Sequence, residues 1–279
     1  MFQIYPEREE HNAMKGAKVN TVELEYERIG AGPPMLLIHG AHVADSLLPL
    51  TREPALSDFE TIRYHRRGFA GSSHPPGPTS VAEQADDAAD LLAYLGVEQA
   101  HIVAHSLGGV IALELAARHP DAVQSLSVLE PPIVSGGPPP AELIAAVTAL
   151  LERYTQGDPG GAVDGFLDLG FGPDSHAILE RALPGAVDQA KEDASTFFEI
   201  ELPVLGHWHL EPEQTAAITC PVLSVIGTNS GPEHAEVRHV LHQWFPHCRD
   251  ADIPGATHLL QIEAPRQVAE ALASFLATN

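Results

Sequence analysis

The sequence predicts an α/β fold in which a mainly parallel β-sheet is covered by helices on both faces. Short apolar runs with strand character alternate along the chain with runs of helical periodicity, which is the pattern of a parallel sheet. At residues 104–108 one such strand-like run passes directly into a helix-like run through Ser106. Between 131 and 213 the strand signals disappear, and helix-like runs broken by Pro and Gly predict a helical insertion.

Seven segments have strand character because they are short and apolar and are bounded by turn residues. They are 22–29, 35–38, 61–64, 101–104, 126–129, 222–226 and 249–253. The clearest helix is 80–95, where Ser80 and Glu83 fit a capping box and apolar residues recur at helical spacing before Gly96. Further helix-like runs are 110–117, 141–154, 178–183 and 267–276.

The turn at 104–108 has the sequence Ala-His-Ser-Leu-Gly and is typical of a nucleophile elbow. In that turn the serine sits on a strained backbone with its hydroxyl exposed, and small residues flank it because the strand and the helix pass very close. Ala104 stands where the first glycine of the G-x-S-x-G pattern is usual, a change of one methyl group. A five-residue match also fits a plain glycine-bearing turn, so other parts of the chain must support it.

The apolar run 34–38 leads into His39, Gly40 and Ala41. A hydrolase that uses Ser106 needs two backbone N–H groups that already point at the oxyanion formed by attack on a carbonyl. One comes from the residue after the nucleophile and one from the loop after this earlier strand. We therefore predict an oxyanion hole made by Leu107 and Ala41.

Residues 64–73 read Tyr-His-Arg-Arg-Gly-Phe-Ala-Gly-Ser-Ser. With the elbow, the chain resembles the α/β-hydrolase superfamily, in which a D-x-R-G-x-G-x-S segment recurs at this place; His65 replaces the usual Asp. The likeness in order and spacing runs from about 21 to 275. It implies an eight-stranded type of sheet flanked by helices, with 1–130 and 214–279 forming the hydrolase core and 131–213 a helical cap, or lid.

The resemblance also implies a catalytic histidine in the segment 252–260, where His258 has the loop context of a general base. The chain has 16 histidines, and most are expected to have no chemical role. Five others could line the pocket if the resemblance holds: His42, His74, His105, His207 and His209. Because the histidines lack paired short spacing, no metal site is expected.

The acid of the triad departs from the family pattern. Many members place an Asp about three residues beyond a glycine after the strand 222–226, but Ser230 stands there. A hydroxyl cannot stabilise the imidazolium as a carboxylate does. Some members, certain lactonases and dehalogenases among them, carry the acid at the end of the strand after the nucleophile helix, which is Glu130 here. We assign the acid to Glu130, with Glu233 as the alternative; Glu130 could also merely cap the following turn.

The insertion supplies candidate substrate-binding residues in Phe197, Phe198 and Trp208, with Leu202 and Leu205 beside them in the sequence. These side chains could form an apolar wall for the substrate or pack the cap onto the core. The Gly-Gly-Pro-Pro-Pro run at 136–140 is predicted to act as a stiff hinge.

Composition limits the classes of partner. The chain has 279 residues, 44% of them hydrophobic, and 38 acidic against 15 basic side chains give a formal charge of -23. This charge argues against nucleic acid and anionic lipid as partners and favours a small neutral or weakly charged, apolar substrate. No apolar run predicts a membrane span and the first residues do not resemble a secretory signal, so a cytoplasmic location is expected. Salt adaptation of the source would also explain the acidity.

The two cysteines, Cys220 and Cys248, each precede a strand and are expected to fill apolar space rather than form a bridge. The sequence does not predict an oligomeric state.

The resulting hypothesis is a cofactor-independent serine hydrolase that cleaves a carboxylic ester or a lactone through Ser106, His258 and Glu130. The same triad could cleave a carbon–carbon bond or a thioester, and the fold could also serve a ligand-binding protein with a decayed site. A serine nucleophile argues against dehalogenase and epoxide-hydrolase chemistry, because those relatives use an aspartate.

Overall fold

A computed structural model describes residues 14–132, 141–205 and 208–279. Eight strands form one sheet in the order β1-β2-β4-β3-β5-β6-β7-β8. Their bounds are β1 Lys15–Val19, β2 Val22–Ile29, β3 Pro34–Ile38, β4 Glu60–Tyr64, β5 Ala100–His105, β6 Val123–Leu129, β7 Val222–Gly227 and β8 Arg249–Ile253. The β1–β2 and β2–β4 pairs are antiparallel, and the remaining pairs are parallel. The predicted mainly parallel sheet is confirmed.

Helices cover both faces of this sheet. The α-helices of the described ranges are α1 Val81–Tyr94, α2 Leu107–Arg118, α3 Ala141–Thr155, α4 Pro159–Phe171, α5 Ser175–Ala182, α6 Ala186–Glu192, α7 Leu202–Leu205, α8 Pro212–Ala217, α9 Pro232–Trp244, α10 Leu260–Glu263 and α11 Pro265–Leu276. Side chains of β3 alternate between the faces, as the two-residue period of a strand requires. Leu36 and Ile38 join the cluster that contains α1, α2 and α9, and Met35 and Leu37 join the cluster that contains α11.

The capping box predicted for α1 is present. The Ser80 hydroxyl accepts a hydrogen bond from the Glu83 amide at 3.0 Å, and the Glu83 carboxylate accepts one from the Ser80 amide at 2.9 Å. These two bonds satisfy amides that the first turn of a helix leaves without intrahelical partners.

Between β6 and β7, the described residues form helices α3 to α8 and a π-helix, Thr196–Glu201, and contain no strand. The apolar cluster inside this segment includes Val43 and Leu259 of the core, so the helices pack on the loops that follow β3 and β8. The predicted boundary at 213 falls within α8. The predicted hinge at 136–140 lies outside the described residues.

Strand β1 was not predicted. Its sequence, Lys-Gly-Ala-Lys-Val, has no apolar run, and it forms a strand because it pairs antiparallel with β2 across a turn at Asn20, whose φ is 47°. Both cysteines lie where expected, Cys248 buried and Cys220 partly buried, and neither is in a disulfide. In the described ranges, no helix is both long enough and apolar enough to cross a membrane.

Candidate active site

Ser106 lies in a sharp turn between β5 and α2, with φ 52° and ψ −125°. A non-glycine residue in this region of φ and ψ costs on the order of 1–3 kcal/mol and persists only where the surroundings enforce it. The close approach of α2 to the end of β3 and to the loop after β6 supplies that constraint. A Cβ on Gly108 would stand 2.2 Å from the Ile38 carbonyl oxygen, and a Cβ on Gly109 would stand 2.8 Å from Pro131 Cβ. The local geometry is that of a nucleophile elbow.

Glu130 and His258 form a hydrogen-bonded pair. His258 Nδ1 donates to Glu130 Oε2 at 2.6 Å, and the Gly227 amide donates to Glu130 Oε1 at 2.8 Å. Burial raises the pKa of the Glu130 carboxyl, but the hydrogen bond and charge of His258 and the charge of His234 outweigh burial, so this pKa is lowered. The ionised carboxylate fixes the proton of His258 on Nδ1, which leaves Nε2 as the acceptor nitrogen.

A second histidine places the His258 loop beside the elbow. His105 directly precedes Ser106; its Nε2 donates to the His258 carbonyl oxygen at 2.9 Å, and its ring centroid is 4.8 Å from that of His258. Burial, followed by the neighbouring His258, lowers the pKa of His105 well below its usual range, so its ring is neutral. The Ser106 hydroxyl itself makes no hydrogen bond to a described residue.

The two predicted oxyanion amides flank the elbow. Leu107 is the first residue of α2, so its N–H has no intrahelical acceptor. Ala41 lies in the loop after β3, and its N–H donates to no backbone acceptor in the part of the chain that the structure describes. Gly40 abuts Ser106, because a Cβ built on it would stand 3.0 Å from Ser106 Cβ.

The two other positions considered for the acid lie further from the base. The Ser230 hydroxyl is buried and makes no hydrogen bond to a described residue, although it is close enough to help lower the pKa of Glu130. The Glu233 side chain is 66% exposed and approaches His234 at 3.7 Å. Of the two candidate carboxylates, the structure brings Glu130 to His258.

Two residues that were not predicted from the sequence contact His258. The His234 ring stacks on the His258 ring with centroids 5.0 Å apart, and His234 Nε2 is 3.5 Å from Glu130 Oε2. Phe171, the last residue of α4, stacks on His258 with centroids 5.5 Å apart. The position of His234, at the start of the helix after β7, was the available signal. Nothing local to Phe171 distinguishes it from other apolar residues of the insertion.

The predicted aromatic wall is not one surface. Phe197 and Phe198 are each 2% exposed and pack around the His42 ring at centroid distances of 4.4 and 5.7 Å. Trp208 belongs to a different cluster and donates from Nε1 to Glu114 of α2 at 2.9 Å. Among the described aromatic residues of the insertion, Phe171 stacks on His258.

The remaining histidines named from the sequence lie in different environments. His42 is buried, neither ring nitrogen has a hydrogen-bond partner among the described residues, and burial lowers its pKa to about 3. His74 pairs with Asp193 at 3.1 Å. His209 pairs with Glu211. His207 lies outside the described residues.

Two groups of potential metal ligands occur in the described ranges: Glu130 with His234 and His258, and His242 with Cys248 and Asp250. Two ligands of one tetrahedral zinc, each about 2.0–2.1 Å from the metal, stand well over 3 Å apart. Glu130 Oε2 and His258 Nδ1 are 2.6 Å apart, which is the spacing of a hydrogen bond. The first group is therefore arranged as an acid–base pair.

Comparisons with known proteins bear on this arrangement. A family described as alpha/beta hydrolase fold matches residues 33–162, the part that holds the loop after β3, Ser106 and Glu130. The enol-lactonase from Burkholderia xenovorans LB400 superposes with a TM-score of 0.77 at 22% identity, covering 94% of this chain and 100% of that one. The chain therefore has the α/β-hydrolase fold. The resemblance predicted from the sequence is confirmed.

Two relatives align with different lengths of this chain. A fluoroacetate dehalogenase from a Burkholderia species is 34% identical over 110 residues, which cover 36% of this chain and 35% of that protein. The chain therefore spans about a third of that relative. A 2-(acetamidomethylene)succinate hydrolase from Mesorhizobium japonicum is 26% identical over 282 residues, which cover 96% of each protein.

Proposed function

We propose that this α/β-hydrolase is a cofactor-independent serine hydrolase that cleaves a carboxylic ester or a lactone. Ser106 attacks the carbonyl carbon while His258 Nε2 takes the hydroxyl proton. The N–H groups of Ala41 and Leu107 stabilise the oxyanion. The C–O bond then breaks, the leaving oxygen takes the proton from His258, and water activated by the same ring releases the acyl group as a carboxylic acid.

One observation carries the proposal: the hydrogen bond of 2.6 Å between His258 Nδ1 and the buried carboxylate of Glu130. It holds the ring with Nε2 as a proton acceptor and stabilises the positive charge that the ring gains during attack. The Ser106 hydroxyl is not yet bonded to that nitrogen. Catalytic hydrogen bonds of this kind shorten when substrate binds.

The surroundings of the base favour an apolar, uncharged substrate. Phe171 stacks on His258, and burial lowers the pKa of nearby His234, so no cationic side chain is offered from those two sides. The formal charge of -23 repels anionic molecules. We therefore propose a small ester or lactone as the partner, rather than a nucleic acid or a membrane surface. The helical segment between β6 and β7 serves as its lid.

The proposal is tested by a substrate panel assayed with the purified protein and its Ser106→Ala variant. We expect turnover of short p-nitrophenyl esters and of simple lactones, and a loss on the order of a thousandfold or more in the variant. Turnover of a diketone without the esters would favour carbon–carbon cleavage. No turnover of any substrate, with binding retained, would favour the ligand-binding alternative.

A further inference from the structure

Arg66 is a buried cation where the oxyanion loop meets the helical insertion. It follows β4, is 1% exposed, and its Nη1 pairs with Glu201 in the π-helix of the insertion. Gln84 of α1 also accepts from Nη1. Taking two charges out of water costs much of what their attraction returns, so a buried pair is weak evidence of a purely stabilising role. The other contacts of Arg66 indicate a different one.

The same guanidinium holds the backbone of the oxyanion loop. Arg66 Nη2 donates to the Gly40 carbonyl oxygen at 2.8 Å, and Nε donates to the His39 carbonyl oxygen at 3.1 Å. The Arg66 amide donates to His39 Nε2 at 2.9 Å, which leaves the proton of this ring on Nδ1. His39 Nδ1 is 2.8 Å from the Gly40 oxygen and donates to it. The Gly40 carbonyl therefore accepts two hydrogen bonds.

The orientation of that carbonyl fixes the amide of the next residue. The Gly40–Ala41 peptide is planar, and in a trans peptide the C=O and N–H bonds point in opposite directions. A Gly40 oxygen held by Arg66 and His39 thus directs the Ala41 N–H to the other side of the peptide plane. An oxyanion donor is effective only when it is already aimed before the charge develops.

The adjacent Arg67 forms an ion pair that does not hold the loop after β3, and it provides a comparison for Arg66. Arg67 binds Asp87 through two parallel bonds, from Nε at 2.6 Å and from Nη2 at 2.8 Å, and its guanidinium makes no hydrogen bond to residues 39–41. Arg66 instead uses Nη2 on the Gly40 carbonyl, and the second carboxylate oxygen of Glu201 is buried without a hydrogen-bond partner among the described residues. A bidentate arginine–carboxylate pair would have used both carboxylate oxygens of Glu201.

We propose that Arg66 and Glu201 form a clamp through which the helical insertion sets the oxyanion hole. Glu201 fixes the guanidinium, and the guanidinium fixes the Gly40 carbonyl so that the Ala41 N–H faces the developing oxyanion. Both are positioning residues, and the inference rests on the proposed hydrolase reaction. The competing role is a tether that only holds the insertion on the core.

The test compares Arg66→Lys with the matched control Arg67→Lys. Lysine keeps a positive charge beside each carboxylate but lacks the planar fork, so Arg66→Lys retains the tether and loses the bonds to the loop. We expect kcat on a p-nitrophenyl ester to fall on the order of tenfold to a hundredfold in Arg66→Lys with KM nearly unchanged, because only the transition state uses the donor. Affinity for a trifluoromethyl ketone, whose serine adduct carries the oxyanion, falls in parallel. Arg67→Lys changes neither.

Equal effects of the two variants on kcat and ketone affinity would overturn the clamp. If Arg66→Lys does not fold, Glu201→Gln provides the same comparison against Asp87→Asn. A readout independent of turnover is the backbone amide resonance of Ala41, which shifts in Arg66→Lys or Glu201→Gln and stays in place in the controls. An unmoved Ala41 resonance contradicts the clamp. A wild-type protein that turns over no ester and binds no ketone contradicts the proposed function instead.

Discussion

Glu130 lies in an unusual backbone conformation at the end of β6, with φ 49°, and its carboxylate is buried with a hydrogen bond to each oxygen. A carboxylate that only capped the following turn would not need the partner that His258 provides. The sequence predicted an acid at Glu130 for two reasons. Ser230 stands where the family's usual Asp is expected after β7, and Glu130 directly follows β6. The stacking of His234 on the base was not predictable from the same pattern.

Glu130→Gln is expected to reduce kcat on the order of a thousandfold or more, because an amide neither stabilises the imidazolium nor enforces the proton on Nδ1. Glu233→Gln, at an exposed carboxylate on the second residue of α9, is the matched control and should retain nearly full activity. Steady-state kinetics on one ester measure both. A larger loss in Glu233→Gln than in Glu130→Gln would transfer the role to residue 233.

The lowered pKa of Glu130 also predicts a pH-dependent contribution to stability. A carboxyl whose folded pKa lies below its unfolded value, about 4.3 for Glu, stabilises the protein above that value and loses the contribution as pH falls through the folded pKa. Urea unfolding of the wild type and Glu130→Gln should differ by on the order of 1–2 kcal/mol near neutral pH and converge in acid. A difference that grows in acid would contradict the assignment.

At the scale of elements, the parallel sheet explains why two of the candidate site residues lie close together. Strands β5 and β6 are adjacent and parallel, so the residues that follow them, Ser106 and Glu130, lie at one edge. Local patterns sufficed for the capping box, the turn at Ser106 and strands β2 to β8, but not for β1. The pairing of Arg66 with Glu201 spans 135 positions and depends on how the insertion packs, which no local pattern records.

The end of α4 offers a prediction for the insertion. Phe171 stacks on His258, so Phe171→Ala removes one wall beside the base. Aromatic contacts of this kind contribute about 0.5–1.5 kcal/mol, and kcat/KM should therefore fall about twofold to tenfold. Leu169→Ala, at a side chain 43% exposed on the same helix, is the control and should leave kcat/KM unchanged. Equal losses in both variants would point to general disturbance of α4.

At the scale of the whole molecule, the charge of -23 predicts that salt stabilises the fold. Repulsion among the 38 acidic side chains exceeds what 15 basic ones offset, and salt near 1 M reduces the screening length to about 3 Å. The melting temperature should therefore rise along a series of increasing NaCl. A melting temperature that stays constant or falls would show that local ion pairs already balance the acidic surface.

The central claim is that Ser106 is an activated nucleophile. Its most direct test is intact-protein mass spectrometry after exposure to a fluorophosphonate, followed by peptide mapping. We expect one phosphonyl adduct on Ser106, on the order of a thousandfold slower to form in Glu130→Gln and absent in Ser106→Ala. A folded wild-type protein that forms no adduct, or forms it on another residue, would contradict the account.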